Sequence, residues 1–353
     1  MLNDNINISK QELQPEKAVV TFVMPAYNVE NYLENAVNSL KKQSFKNWEL
    51  VIVNDGSTDR TLELALSLAE SERRIKVMSM KEPSGSAYQP RKKAILAASA
   101  DWVSPLDADD LIAPDYLEKL WQKQLSTNAD IIYPTMMKGD DIKVEVITPR
   151  NETLYNKTLT GREALELTLD GWKINCNGGI IRKNLYEKAF NTFDSSLTYS
   201  CADELLTRQL LSITPNVAIS DAHYYYTFNP TSITRKKSLK LFDFLKNNRT
   251  LIDFTKERYG PESSAYILAQ KQNFHGIFDA LGILNRYQKR NAGENFSKEE
   301  ISAIYEDLRK SKEMADTSLI KDETSPRYRF LLKFSFPVIR KTLSLMDSLK
   351  DKK

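Results

Sequence analysis

Residues Asp101–Pro114 read DWVSPLDADDLIAP: a strand-like apolar approach over Trp102–Leu106, carboxylates at Asp107, Asp109 and Asp110, then a helix start at Pro114. Side chains two apart on an extended chain point the same way, so Asp107 and Asp109 are expected to face one spot at the end of a buried strand. Two carboxylates converging there repel each other unless a cation lies between them. Oxygen-only ligands suit a hard divalent ion, Mg2+ or Mn2+, which takes phosphate oxygens and waters as its further ligands. The same letters also suit an acidic turn capping the next helix, because Asp is favoured ahead of a Pro at the first helical position. The surrounding chain has to choose between the two.

Its bulk properties narrow the field. At 353 residues the chain exceeds the size at which a single core usually stops growing, and two domains are expected. A hydrophobic content of 41% and a charged content of 27% are those of an ordinary globular protein. The net charge of +3 gives no reason to expect a nucleic-acid partner. Only Cys176 and Cys201 occur, so no disulfide framework is indicated and a cytoplasmic location is expected. The polar stretch 1–17 reads as a flexible arm without the apolar core of a signal peptide. No apolar run reaches the roughly 18 residues that a membrane span requires.

Upstream of the acidic stretch, short apolar runs alternate with helical spacing. Val19–Met24 reads as a strand broken by Pro25-Ala26-Tyr27-Asn28, and Leu33, Ala36, Val37 and Leu40 mark one face of a helix. Glu49–Val53 is a second strand, closed by Asn54-Asp55-Gly56-Ser57; Thr58–Ser71 is a helix with Ser57 or Thr58 as its cap. Ile75–Met78 and Trp102–Leu106 are further strands, with a helix over Tyr88–Ala98 between them. This alternation predicts an α/β fold with a mostly parallel central sheet and helices on both faces. Ligands of such sheets bind outside the carboxyl ends of the strands, where PAYN, NDGS and DADD all fall.

Read together, VTFVMPAYN…ELVIVNDGSTDRT and the later SPLDADD resemble the family-2 glycosyltransferases, over roughly residues 18–235. The resemblance implies a glycosyltransferase-A (Rossmann-like) fold and an inverting, metal-dependent transfer from a nucleotide-diphospho-sugar, in particular a UDP-sugar. It further implies a bacterial surface-glycan setting, with a glycan or lipid-linked glycan acceptor. Position by position, Pro25, Ala26, Tyr27 and Asn28 correspond to the family's turn beside base and ribose, Asp55 to its uracil contact, and Arg91 to an arginine near the diphosphate. Asp107 and Asp109 match its D-x-D, with Asp109 the chief metal ligand and Asp107 shared with the ribose. CADELLTRQLL resembles the helix that supplies the catalytic base, which points to Asp203, with Glu204 as the alternative. Three positions depart from the pattern: Asn54, Lys92 and Ala202 stand where the family has Asp, Asn and Glu.

The remaining expectations are structural. Residues 18–115 form a nucleotide-sugar half and 116–235 an acceptor half, in which Thr160–Glu163 reads as a capping box and Trp172 is a candidate sugar-stacking residue as much as a core one. His223 reads as structural, although it has the chemistry of a metal ligand. Residues 236–353 read as a helical domain with no motif of its own, and a homo-oligomer is one way to use it. Its end, 327–349, is a basic amphipathic segment suited equally to the inner surface of a membrane or to packing on protein. Two other function classes are weighed against the transferase. A non-catalytic sugar-nucleotide-binding relative is compatible with the three departures. Nucleotidyl or phosphoryl transfer would place its acidic pair or glycine-rich loop after the first strand, where PAYN stands.

Overall fold

The structure is a computed structural model. It describes residues 18–139, 144–148, 152–171, 178–192, 201–227, 229, 237–289, 295–321, 324 and 326–350. The chain divides into two compact units, Met1–Thr168 with Trp172–Asn229, and Leu169–Gly171 with Pro230–Lys353. The arm 1–17, Trp172 and the expected boundary at 235 lie outside the described residues.

In the first unit β1 (Val20–Ala26), β2 (Trp48–Asp55), β3 (Ile75–Met80) and β4 (Trp102–Pro105) pair in parallel in the order β3-β2-β1-β4. The crossovers are α1 (Leu33–Lys41), α2 (Thr61–Ser71) and α3 (Tyr88–Ala97). Every residue of β2 is buried, as a strand covered on both faces demands. α1 buries Leu33, Ala36, Val37 and Leu40, the face its spacing predicted.

Past β4 the sheet becomes mixed. The short β9 (Ile180–Arg182) runs antiparallel to β4 and to β6 (Ile131–Gly139), and β10 (Asn216–Tyr226) is parallel to β6. Being antiparallel to both neighbours, β9 leaves β6 and β10 running in the same direction as β1–β4. The carboxyl ends of β1–β4, β6 and β10 therefore gather on one edge. β5 (Leu111–Ile112), β7 (Val144–Thr148) and β8 (Thr158–Thr160) add short antiparallel pairings. α4 (Tyr116–Thr127), α5 (Gly161–Leu169), α6 (Lys183–Thr192) and α7 (Ala202–Ile213) complete the unit, and the Thr160–Glu163 capping box opens α5 in both directions.

Two local expectations are corrected. α2 starts at Thr61, because Ser57 and Thr58 are engaged elsewhere: the Ser57 hydroxyl accepts from the Asn28 N–H and the Thr58 N–H donates to the Asn28 side chain. The acidic quartet is no strand extension either. The Asp110 N–H donates to the Asp107 carbonyl at 3.1 Å, closing a turn, so simple alternation does not set where its side chains point.

The second unit is helical: α8 (Asp243–Tyr259), α9 (Ser264–Lys289), α10 (Lys298–Glu313), α11 (Pro326–Leu331) and α12 (Phe336–Lys350). Its core includes Phe274, Ile277, Leu281, Leu284, Ile304 and Leu308. A capping box from Ser297 to Glu300 opens α10. The basic terminal segment is two helices rather than one, each with a proline in its first turn, where the missing N–H costs nothing. Among the described residues no helix is long and apolar enough to cross a membrane.

Candidate active site

The turn after β4 brings its carboxylates to the sheet edge but gives each a different surrounding. Asp110 is almost fully buried; its carboxylate accepts from the Tyr224 hydroxyl at 2.9 Å and from the Thr227 N–H at 2.8 Å. Burial, then the charges of Asp107 and Asp109, push its carboxyl well above the ordinary range. Tyr224 is buried too, and burial followed by the neighbouring acids pushes its hydroxyl up, so it stays a proton donor. The same hydroxyl accepts from the Asp107 N–H at 3.1 Å. One tyrosine from β10 therefore sets the shape of the acidic turn.

Asp107 and Asp109 remain partly exposed. Asp109 accepts from the Asn229 side-chain amide at 2.8 Å, and burial and the charge of Asp107 raise its carboxyl. Asp107 takes one arm of the Arg91 guanidinium at 2.7 Å, and the other arm reaches Asp203 at 3.1 Å. Arg91 itself is only 7% exposed, and these two carboxylates overcome its burial to strengthen its hold on the proton. A forked, permanently charged donor is the side chain that can hold two carboxylates at once. It ties the turn after β4 to the first turn of α7, nearly a hundred positions away in the chain.

On α7 the two candidate bases diverge as adjacent helical residues must. Asp203 joins Arg91 and the acidic turn. Glu204 is held 3.4 Å from Arg208, a fully buried side chain that also donates to the Thr168 carbonyl. Burial raises the Glu204 carboxyl, against the pull of Arg208. Asp203, not Glu204, is thus the carboxylate beside Asp107. Behind Arg91 lies a cavity of about 30 Å³, lined by Asp107, Tyr186, Asp203 and Tyr224. That volume is too small for a nucleoside diphosphate.

The turns after β1 and β2 lie on the same edge, since Ala26 pairs with Asn54 in register. Pro25 is partly exposed, Ala26 is buried, and Tyr27 is 39% exposed. Asn28 adopts φ 52°, a conformation asparagine tolerates, and stitches the two turns together through Ser57 and Thr58. Asp55 is buried and accepts from both the N–H and the hydroxyl of Ser84, at 2.9 Å each, which holds the loop leading into α3. Lys92 lies over the Phe190 ring at 4.9 Å. His223 falls on the face of β10 opposite Tyr224 and packs against Tyr225, away from the acidic turn.

Among the described residues no group of three or more histidine, cysteine or acidic side chains forms a metal cage. The pair Asp107 and Asp109 nevertheless fits a Mg2+ or Mn2+ ion: both are hard oxygen donors and both are partly exposed at the sheet edge. Such ions need only one or two protein carboxylates when phosphates and waters complete the shell.

Sequence reading missed Tyr224, Thr227, Asn229 and Ser84 as supports of the site. The tyrosine run before Thr227 was the visible signal for the first. Gly178 is part of the same arrangement: at φ 71° it passes so close that a Cβ there would lie 2.7 Å from the Tyr224 ring.

Residues 21–189 match the glycosyl transferase family 2 profile. The chain is 38% identical over 112 residues to glycosyltransferase GlyA of Streptococcus pneumoniae, covering 32% of this chain and 16% of that protein. It is 30% identical over 161 residues to the Escherichia coli UDP-Glc:alpha-D-GlcNAc-diphosphoundecaprenol beta-1,3-glucosyltransferase WfgD, covering 44% of this chain and 62% of WfgD. The structure of Staphylococcus aureus TarS 1-349 in complex with UDP-GlcNAc superposes with a TM-score of 0.62 at 19% identity, covering 92% of this chain and 91% of that one. The fold is that of the glycosyltransferase-A class. The family 2 match spans just under half of the chain, and the chain covers less than two thirds of the length of GlyA and of WfgD. The match ends before α7, so Asp203 and Glu204 stand on geometry alone.

Proposed function

We propose that the protein transfers a sugar from a nucleotide-diphospho-sugar, by preference a UDP-sugar, to a glycan or lipid-linked glycan acceptor in bacterial surface-glycan assembly, with inversion at the anomeric carbon. The observation that carries this reading is the Arg91 bridge, which joins a D-x-D carboxylate to a carboxylate on a facing helix. The activity for which WfgD is named and the UDP-GlcNAc bound to TarS support the donor and acceptor classes.

Tyr27 and Asp55 line the end where the nucleoside lies, and Asp107 is shared with its ribose. Asp107 and Asp109 would hold a Mg2+ or Mn2+ ion, which when bound would supply Lewis-acid neutralisation of the departing diphosphate. Arg91 offers its forked N–H groups to the same oxygens. Asp203 accepts the proton of the acceptor hydroxyl as that oxygen bonds to the anomeric carbon and the carbon–oxygen bond to the diphosphate breaks. A single displacement from the far face inverts the centre, so an α-linked donor gives a β-linked product. Glu204, held by Arg208, keeps α7 in place.

A turnover assay with a panel of nucleotide sugars and Mn2+ or Mg2+ tests the reading. Asp203→Asn is expected to lower kcat by about 10²–10⁴, the usual worth of a general base. Asp109→Ala is expected to abolish metal-stimulated release of the nucleoside diphosphate. Undiminished activity in Asp109→Ala would refute the metal assignment, and a product with retained configuration would refute the single displacement. Donor binding without turnover would favour the non-catalytic reading.

A further inference from the structure

The two terminal helices have two apolar sides. Leu331, Leu332, Phe336 and Ile339 enter the core of the helical unit. Phe330, Phe334 and Val338, spaced four apart, remain 56%, 40% and 48% exposed. Phe330 lies near the end of α11, Phe334 in the connecting turn and Val338 in the first turn of α12, and a surface that meets only water is normally polar on the side away from the core. The Phe330 and Phe334 rings meet edge to face with centroids 5.3 Å apart, which makes the aromatic part of the row one ridge.

Cations flank this ridge. The Lys333 ammonium lies 6.0 Å over the Phe330 ring, Lys341 is exposed, Arg340 is half-buried, and Lys312 donates to the Phe334 carbonyl at 3.2 Å. From Pro326 to Lys350 the sequence holds six Lys and Arg against one acid, Asp347, whereas the whole chain is nearly balanced at 50 against 47.

We propose that this ridge docks the protein on an anionic lipid bilayer. Phe330, Phe334 and Val338 enter the boundary between headgroups and acyl chains, while Lys333, Arg340 and Lys341 lie level with the lipid phosphates. Aromatic side chains favour that boundary, and long basic side chains keep their charge in the headgroup layer while their stems cover apolar surface. Charge selects this occupant over a second copy of the chain. A two-fold interface apposes a patch to itself, which would set these cations against their own images. The inference is independent of the proposed enzymatic activity.

Co-sedimentation of the full chain with vesicles decides it, comparing phosphatidylcholine alone with an equal mixture of phosphatidylcholine and phosphatidylglycerol. Binding to the mixed vesicles is expected to be about tenfold stronger or more, and to fall as salt rises. Lys333→Glu with Lys341→Glu should abolish the anionic preference. Phe330→Ser with Phe334→Ser should weaken binding by about tenfold while the thermal melt stays unchanged, because both rings are exposed in the free protein. If the aromatic variant does not fold, the lysine variant alone decides, since its side chains are surface-exposed. No binding to mixed vesicles, equal binding to both kinds, or binding indifferent to the lysine variant would overturn the proposal. So would a chain that is dimeric by light scattering, ignores vesicles and becomes monomeric in the lysine or aromatic variant; the ridge would then be a subunit interface.

Discussion

The buried Glu49 and the acidic turn of Asp107, Asp109 and Asp110, at opposite ends of the same sheet, behave in opposite ways. At the amino ends of the strands, Glu49 accepts from the Thr21 hydroxyl at 2.6 Å, the Ser99 N–H at 2.7 Å and the Lys76 ammonium at 3.0 Å. Burial pushes its carboxyl up, but these partners outweigh burial and hold it below the ordinary glutamate range. At the carboxyl ends, Asp109 and Asp110 also have hydrogen-bond partners, yet burial and then the charge of Asp107 leave both raised. The amino end is electrostatically closed, and its charge stabilises the fold. At the carboxyl end Arg91 pairs with Asp107 and Asp203, while no cation partners Asp109 or Asp110 among the described ion pairs, and strongly perturbed carboxylates of this kind cluster at functional sites.

The largest effect expected from this contrast is at Glu49. Glu49→Ala leaves a buried hydroxyl, a buried N–H and Lys76 without their acceptor, and should cost about 3 kcal/mol in urea unfolding. A neutral result would break the picture of a closed end. Because the folded-state carboxyl is lowered, the stability it contributes is present above the ordinary glutamate range and is lost as pH falls through the folded value. The gap in melting temperature between wild type and Glu49→Gln should therefore be widest near neutrality and shrink below about pH 4.

Tyr224→Phe removes the donor to Asp110 and the acceptor of the Asp107 N–H together. It should cost about 1–3 kcal/mol of stability, and loosening the acidic turn should lower turnover by about tenfold. Unchanged kinetics would mean that the turn holds its shape without β10.

Asp109→Asn should act in the opposite sense on stability. A neutral side chain relieves the repulsion, so the metal-free protein should melt higher, by about 1 kcal/mol in stability, a trade-off typical of functional sites. The same variant should lose the rise in melting temperature that Mn2+ is expected to produce in wild type. Equal stabilisation of both proteins by Mn2+ would move the metal site elsewhere. The smallest effect is expected at Lys92. Lys92→Met should cost about 0.5–1 kcal/mol through the lost contact with Phe190 and leave turnover unchanged, which would mark this departure from the family pattern as structural.

The alternation of apolar runs with helical spacing was enough to place β1–β4 and α1–α3 to within a few residues. α1 buries its periodic face and β2 is buried throughout, so local pattern and tertiary outcome agree there, whereas α2 buries Ala65 and Ala69 but leaves Leu66 42% exposed. PAYN, NDGS and DADD could be put on one edge for the same reason: parallel strands with helical crossovers leave all their carboxyl ends together. The capping box at Thr160 was legible because it is a local exchange of two hydrogen bonds.

What the sequence by itself determined, then, was the strand order of chemistry along the chain and the residue types at its turns. The tertiary structure decided which of those residues work together. Only long-range pairing could place Tyr224 of β10 beneath the acidic turn, turn Asp110 inward and leave Asp107 and Asp109 open. Only the packing of α7 could set Asp203 against Arg91 and send Glu204 to Arg208. The physical reason is that a motif records local backbone preference. The charge, burial and hydrogen-bond partners of a carboxylate are set by segments that arrive from elsewhere in the chain.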